Sequence, residues 1–396
     1  MKIVAIVDSQ IGIGGGFDQS LNAVLQMQQI CEGRFDLEVF STHQENIPYL
    51  ATLGIKGTHY RYSMLDRMIS KLQGVRWWQY VQKQCKYLTL FERKLIATDC
   101  DLVYFVAPGR MAGSLQKLNY IATVWDICHR DNPEFPEVRD FYRFHDKERL
   151  YKRHLAPAVL ILTDSDELAD RASHYYGIAR SRFLAMPFAP SPFLKHSNVS
   201  SKNSVLAKYK LEEGYFYYPA QFWAHKNHIR LLQALVYLRD RQSWQPKVVL
   251  SGKDHGNLTH VEKFVADNNL AEQVKLLGFV DSEDLRGLYE GALAIVMPTY
   301  FGPTNLPPLE AWTIGKPLIY SSHLASHAGN AAVLVDPDNA EDLAMAMHGC
   351  RDKQRMAQLV DEGHNRIAEI NHRRASAEQE LGQALEKFAQ RRACWE

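Results

Sequence analysis

The 396-residue sequence lacks any apolar run near the about 20 residues that a membrane-spanning helix requires. Its opening, MKIVAIVDSQ, is an apolar run of strand length ended by Asp8, too short for a signal peptide. Net charge is nearly absent as well: 46 Lys+Arg against 45 Asp+Glu leave +1, which argues against a chain generally coated by nucleic acid. The six cysteines are scattered with no C-x-x-C pair, so neither a zinc site nor a disulfide framework is indicated, and free thiols in a reducing compartment are expected. The sequons at Asn198 and Asn257 are read as chance, given no secretion signal. No short repeat, low-complexity tract or G-x-G-x-x-G fingerprint occurs. With 46% apolar and 23% charged residues, an ordinary globular protein of two domains, in the cytoplasm, is expected.

What the chain does have is alternation. Strand-like runs at 2–8, 101–106, 120–125 and 159–162 are separated by segments of helical length. After the first run, Gly12, Gly14, Gly15 and Gly16 make a loop where backbone can approach a ligand, with Asp18 or Ser20 as cap of the next helix. Residues 60–97 read as largely helical, with Leu65, Met68, Ile69, Leu72 and Val75 spaced for one face. Prolines and serines at 186–204 break all periodicity. A second alternation follows: strands at 215–218, 247–250 and 274–277, with helices at 226–239, 258–268 and 282–291. The expected fold class is α/β, two doubly wound Rossmann-like domains. The first covers 1–188, a linker 189–204, the second 205–375, and a C-terminal helix 376–396.

Four segments carry chemistry. In VMPTYFGPTNLPPLEAWTIGKPLIYS, an apolar run, a turn-rich loop, a helix starting near Pro308 and ending at Gly315, and a second apolar run form a βαβ unit. Its loop would aim backbone N–H groups and a positive helix end at one spot, suited to a phosphate. Glu310, expected in the first turn, either accepts hydrogen bonds from a diol beside that phosphate or is a carboxylate favoured by the helix dipole. In YYPAQFWAHKNHIRLLQAL, Lys226 puts a cation at a helix start, unfavourable by itself and reasonable if an anion arrives there. In DICHRDNPEFPEV, His129 among Asp126, Asp131 and Glu134 either hydrogen-bonds a substrate or is structural. From Arg61 to Lys94, basic residues and Trp77-Trp78 accompany only two acids, Asp66 and Glu92, which suits either an anionic membrane surface or a solvated face over core tryptophans. Three D-x-D triplets, beginning at Asp99, Asp164 and Asp336, read as turns and a helix start rather than metal sites.

Taken in order, the glycine loop 12–16, the segment 126–136, the segment 220–227 and FGPTNLPPLEA at 301–311 resemble glycosyltransferase family 4, of GT-B architecture. That resemblance implies two Rossmann-like domains facing across a cleft, a nucleotide-sugar donor bound mainly by the second, retention of anomeric configuration and no metal or other cofactor. Lys226 would neutralise the donor diphosphate and Glu310 would hold the ribose. Backbone N–H groups around Thr304, Asn305 and Leu306 would grip the phosphates, with Gln221 and Asn227 beside them. Phe279 and Val280 would face the base, Gly15 and Gly16 would approach from the other domain, and the terminal helix would cross back to it. Three departures are evident. Gly302 stands where many relatives have a first glutamate, Gln221 where they have an arginine, and Trp125 where they have a histidine, which leaves His129 as the candidate for that role. The implied partners are a nucleotide-diphosphate sugar and a glycan or lipid-linked acceptor, with no nucleic acid and a peripheral membrane contact through the stretch from Arg61 to Lys94. An epimerase or phosphorylase on the same architecture, or a non-catalytic glycan-binding subunit, is the alternative.

Overall fold

The computed structural model describes residues 1–11, 15–72, 75–195 and 200–395. Gly12 and Gly14 of the glycine loop and the sequon at Asn198 lie outside the described residues. The chain forms two compact units. The first is Met1–Ile127 with Phe144–Phe188 and Arg373–Glu396; the second is Cys128–Arg143 with Ala189–His372. The segment Cys128–Arg143 joins the second unit although no change of composition marks it.

The first unit holds a parallel sheet of β1 (Lys2–Val7), β2 (Asp36–Ser41), β3 (Gly57–His59), β4 (Leu102–Phe105), β5 (Asn119–Thr123), β6 (Leu160–Thr163) and β7 (Phe183–Ala185). Their order is β3-β2-β1-β4-β5-β6-β7, so the winding reverses between β1 and β4. Strands covered on both faces need apolar residues throughout, which is why KIVAIV is buried from Ile3 onward. Alternation divides the strand between two cores. Val4 and Ile6 pack on one side of the sheet; Ile3, Ala5 and Val7 pack on the other.

Ala377, Leu381 and Leu385 belong to the Ile3 core. They lie on the 40-residue helix Lys353–Arg392, whose last part is counted in the first unit. There Gln26 donates to Glu378 at 2.8 Å, Arg34 pairs with Glu386, and Arg392 pairs with Asp101.

Two expectations for this unit are corrected. The first helix starts at Gly15, so Asp18 lies within its first turn, and the Ser20 hydroxyl donates back to the Gly16 carbonyl at 2.9 Å instead of capping. Residues 60–97 are helical in three pieces, Met64–Leu72, Arg76–Cys85 and Leu90–Ile96, but the apolar residues of the first do not share a buried face. Ile69 points inward, whereas Leu65 and Met68 are exposed.

The second unit holds a parallel sheet of β8 (Tyr215–Pro219), β9 (Val248–Ser251), β10 (Val274–Leu276), β11 (Ala292–Met297), β12 (Leu318–Ser321) and β13 (Val333–Val335). Its order is β10-β9-β8-β11-β12-β13, with the winding reversed between β8 and β11. The helices His228–Gln242, Leu258–Asp267, Ser282–Gly291 and Leu306–Ile314 connect them, as the alternation predicts. Open parallel sheets bind ligands outside the carboxyl ends of the strands at such a reversal. The loops after β8 and β11 are the ones that carry Lys226 and Asn305.

Among the described residues no helix is long and apolar enough to cross a membrane.

Candidate active site

After β8 the chain makes one 3-10 turn, Ala224–Lys226, and passes through Asn227 at φ 59° before the helix His228–Gln242. The turn is held from three sides. Tyr218 donates its hydroxyl to the Lys226 carbonyl at 2.8 Å, and the Asn227 amide donates to the carbonyls of Pro298 and Pro337 at 3.0 and 2.9 Å. Asn227 thereby ties the β8 loop to the end of β11, and its side chain is engaged in the fold. The Lys226 ammonium, partly exposed, donates to the Asn305 carboxamide oxygen at 3.1 Å. The Asn305 amide donates in turn to the Gly302 carbonyl at 2.8 Å and the Tyr320 hydroxyl at 2.9 Å.

Asn305 is the N-cap residue of Leu306–Ile314, but its side chain does not cap the helix. Prolines 307 and 308 occupy the second and third helical positions and carry no N–H. The expected cluster of first-turn donors is therefore thinner than the helix start implies. Of the first three helical positions only Leu306 keeps a main-chain N–H. Gly315, at φ 78°, ends the helix as expected.

Gly302 explains why a glutamate is missing from its position. Its φ is +110°, which side-chain-bearing residues rarely adopt, and a Cβ there would lie 2.7 Å from the Asn305 side-chain oxygen. On this backbone path a side chain at 302 is strained and presses on the Asn305 carboxamide that meets Lys226.

Glu310 is the fifth residue of its helix, not in the first turn. It is buried, and its carboxylate accepts hydrogen bonds from the hydroxyls of Ser191 and Tyr289. Burial and then the Glu310 charge push the Tyr289 phenol well above its ordinary range, so it stays a donor. Neither hydroxyl was singled out in the sequence, because one comes from the proline-rich stretch and the other from the helix before β11.

His225 is fixed by Glu137, which accepts from its backbone N–H at 3.0 Å and bonds its Nδ1. The His225 ring stacks on Phe301 at 3.9 Å, and Phe135 packs against Tyr300 and Phe301. Burial disfavours the Glu137 carboxylate, yet the His225 hydrogen bonds outweigh it and hold the carboxyl below its usual range. The segment Cys128–Arg143 thus reaches the loop after β8 through Glu137 and the loop after β11 through Phe135. His129, the residue expected to act from this segment, is buried in the short helix Cys128–Asp131.

Gln221 accepts from the Trp223 indole at 3.1 Å, and Trp223 stacks on His255 at 4.2 Å. Phe279 is exposed after β10 with the Lys253 ammonium 4.3 Å from its ring centre, while Val280 is buried. In the first unit, Gly16 lies beside Trp125, 3.9 Å from a Cβ built on it, and Asp126 accepts from Lys147 at 2.6 Å. Of the D-x-D triplets, Asp166 begins a helix capped by Ser165, and Asp336 accepts from the Asp338 N–H in a turn.

Two parallel doubly wound sheets, each with its reversal at the first strand, define a GT-B fold. Residues 213–352 match the family described as glycosyl transferases group 1. The O-antigen chain mannosyltransferase B of Escherichia coli is 27% identical over 227 residues, covering 57% of this chain and 59% of that protein. The chain spans about three fifths of the length of the curated relatives it matches. In fold it is similar to sucrose-phosphate synthase from Thermosynechococcus elongatus, with TM-score 0.72 at 17% identity over 98% of both chains. It is also similar to Anabaena HepE in complex with UDP and glucose, with TM-score 0.68 at 15% identity over 98% of this chain and 99% of that one.

Proposed function

We propose that the protein is a retaining glycosyltransferase that moves a sugar from a nucleotide-diphosphate sugar to a glycan or lipid-linked acceptor in cell-surface polysaccharide synthesis. The observation that carries this reading is the Lys226–Asn305 pair at the β8/β11 reversal, within the family-matched region. The E. coli relative's name, an O-antigen mannosyltransferase, and the UDP and glucose in the Anabaena structure support the reaction class, and they differ on the sugar.

In this reading the departing diphosphate meets Lys226 and the N–H groups of Thr304, Asn305 and Leu306. Transition-state charge is stabilised by groups already held in place. Positive charge comes from Lys226 and helix ends, and no resident metal or other cofactor takes part. Glu310 holds the ribose once a ligand hydroxyl replaces that of Ser191 or Tyr289. Phe279 serves the base. His129 and Asn227 act by holding their segments. The reaction takes place in the cytoplasm, with peripheral membrane contact through the stretch from Arg61 to Lys94.

The test is a thermal-shift panel of UDP, GDP, ADP and TDP on wild type and Lys226→Ala. A ligand at about 100 times its Kd adds about 2.7 kcal/mol to stability. A shift with one nucleotide that Lys226→Ala removes supports the reading, and silence across the panel overturns it. Turnover of the matching nucleotide sugar without any acceptor would instead favour an epimerase.

A further inference from the structure

The helices Met64–Leu72 and Arg76–Cys85 of the first unit each present large apolar side chains outward, although Ile69 of the first is buried. On the first, Met64, Leu65 and Met68 share one face, and Met64 is 82% exposed. Asp66, on the opposite side, is 2% exposed and accepts from the Ser63 N–H and hydroxyl and the Tyr60 hydroxyl. On the second, Trp77, Tyr80 and Val81 share the outer face, with Trp77 at 59% and Tyr80 at 65% exposure, while Gln82 is buried. A surface helix ordinarily buries its apolar stripe and exposes its charges. Here both expose several large apolar side chains, and the first also buries its one carboxylate; large exposed apolar surfaces mark interaction sites.

Within the stretch from Arg61 to Lys94 the exposed charges among the described residues have one sign. Asp66 and Glu92 are the only acids from Arg61 to Lys94, and both are buried. The Glu92 carboxylate accepts from the backbone N–H groups of Gln116, Lys117 and Leu118 at 2.6–3.0 Å. Arg61, Lys83, Lys86, Arg93 and Lys94 are exposed. The surface therefore offers methionine, leucine and aromatic side chains among cations, with its acids withdrawn.

We propose that these two helices are an interfacial docking element for an anionic lipid bilayer, with Met64, Met68 and Trp77 entering the headgroup–acyl boundary and the lysines contacting lipid phosphates. This rests on the membrane contact proposed above and names the side chains that make it. Exposed Trp and Tyr suit that depth because each has an apolar body and a polar tip. Cations add attraction to an anionic leaflet. A second copy of the chain is a poorer occupant. A two-fold interface would set this stretch against itself, cation against cation, with no exposed acid within the stretch to pair them.

The test is co-sedimentation of the full chain with vesicles of pure phosphatidylcholine and of an equal mixture with phosphatidylglycerol, alongside sedimentation velocity without lipid. Wild type is expected to bind the mixed vesicles, to shift its tryptophan emission to the blue on binding, and to release as salt is raised. Met68→Ser/Trp77→Ser and Lys83→Glu/Lys86→Glu should each weaken the partition at least about tenfold, with circular dichroism unchanged because these side chains are exposed. Absence of binding, equal binding to neutral vesicles, or variants that bind like wild type would overturn the proposal. So would a lipid-indifferent dimer abolished by the Trp77 substitution. The nucleotide thermal shift, read on the same variants, separates this outcome from failure of the donor-site reading.

Discussion

The ammonium of Lys226 and the carboxamide oxygen of Asn305 meet at 3.1 Å although 79 residues separate them. Other bonds anchor both residues: the Lys226 main chain through its carbonyl on Tyr218, and the Asn305 carboxamide through Gly302 and Tyr320. A cation held this way is preorganised for an anion. Lys226→Ala is expected to lower kcat/KM for sugar transfer at least about tenfold, or about 1.4 kcal/mol. Steady-state kinetics on a variant with wild-type circular dichroism checks it, and an unchanged kcat/KM would remove Lys226 from the mechanism.

Restoring a glutamate at 302 is expected to fail. A side chain at φ +110° is strained, and its Cβ would displace the Asn305 carboxamide. Gly302→Glu should reduce transfer and the nucleotide thermal shift together. A gain in either would show that the loop readily takes another path.

Tyr289→Phe removes one hydroxyl donor from the buried Glu310 carboxylate. Leaving a buried acceptor short of a partner costs about 1–3 kcal/mol, visible as a lower urea midpoint at unchanged m-value. Glu310→Ala should reduce transfer at least about tenfold through donor KM.

Leu381→Ala should destabilise the first unit by about 2–5 kcal/mol, since Leu381 is buried in the core beside β1. Hydrogen exchange of β1 amides reads this directly. Unchanged protection would mean that the terminal helix adds little to that core.

Stability should fall on mild acidification. Burial holds the imidazole of His154 down at about 4 and those of His228 and His327 at about 3, against an ordinary 6.5. Between those values and 6.5 the unfolded chain binds protons that the folded chain refuses. The stability is therefore complete above pH 6.5 and is lost progressively as pH falls toward 4. Urea midpoints across that range test the sign, and a flat profile would contradict it.

The sequence by itself determined the two α/β alternations, because strand and helix periods are local and fully covered parallel strands must be apolar along their length. It also drew attention to the segments of Lys226, Asn305 and Glu310, since prolines, glycines and a cation near a helix start leave signals within a few residues. Tertiary structure alone decided which segments meet. Sheet order sets β11 beside β8, and so Asn305 beside Lys226; His225 and Glu137 meet across 88 residues, and Glu310 finds Ser191 and Tyr289. It also decided direction. A helical period says that Met64, Leu65 and Met68 share a face, but not whether that face looks inward. In the structure Asp66 is buried among the hydroxyls of Tyr60 and Ser63 and Ile69 packs inward, so that face looks outward.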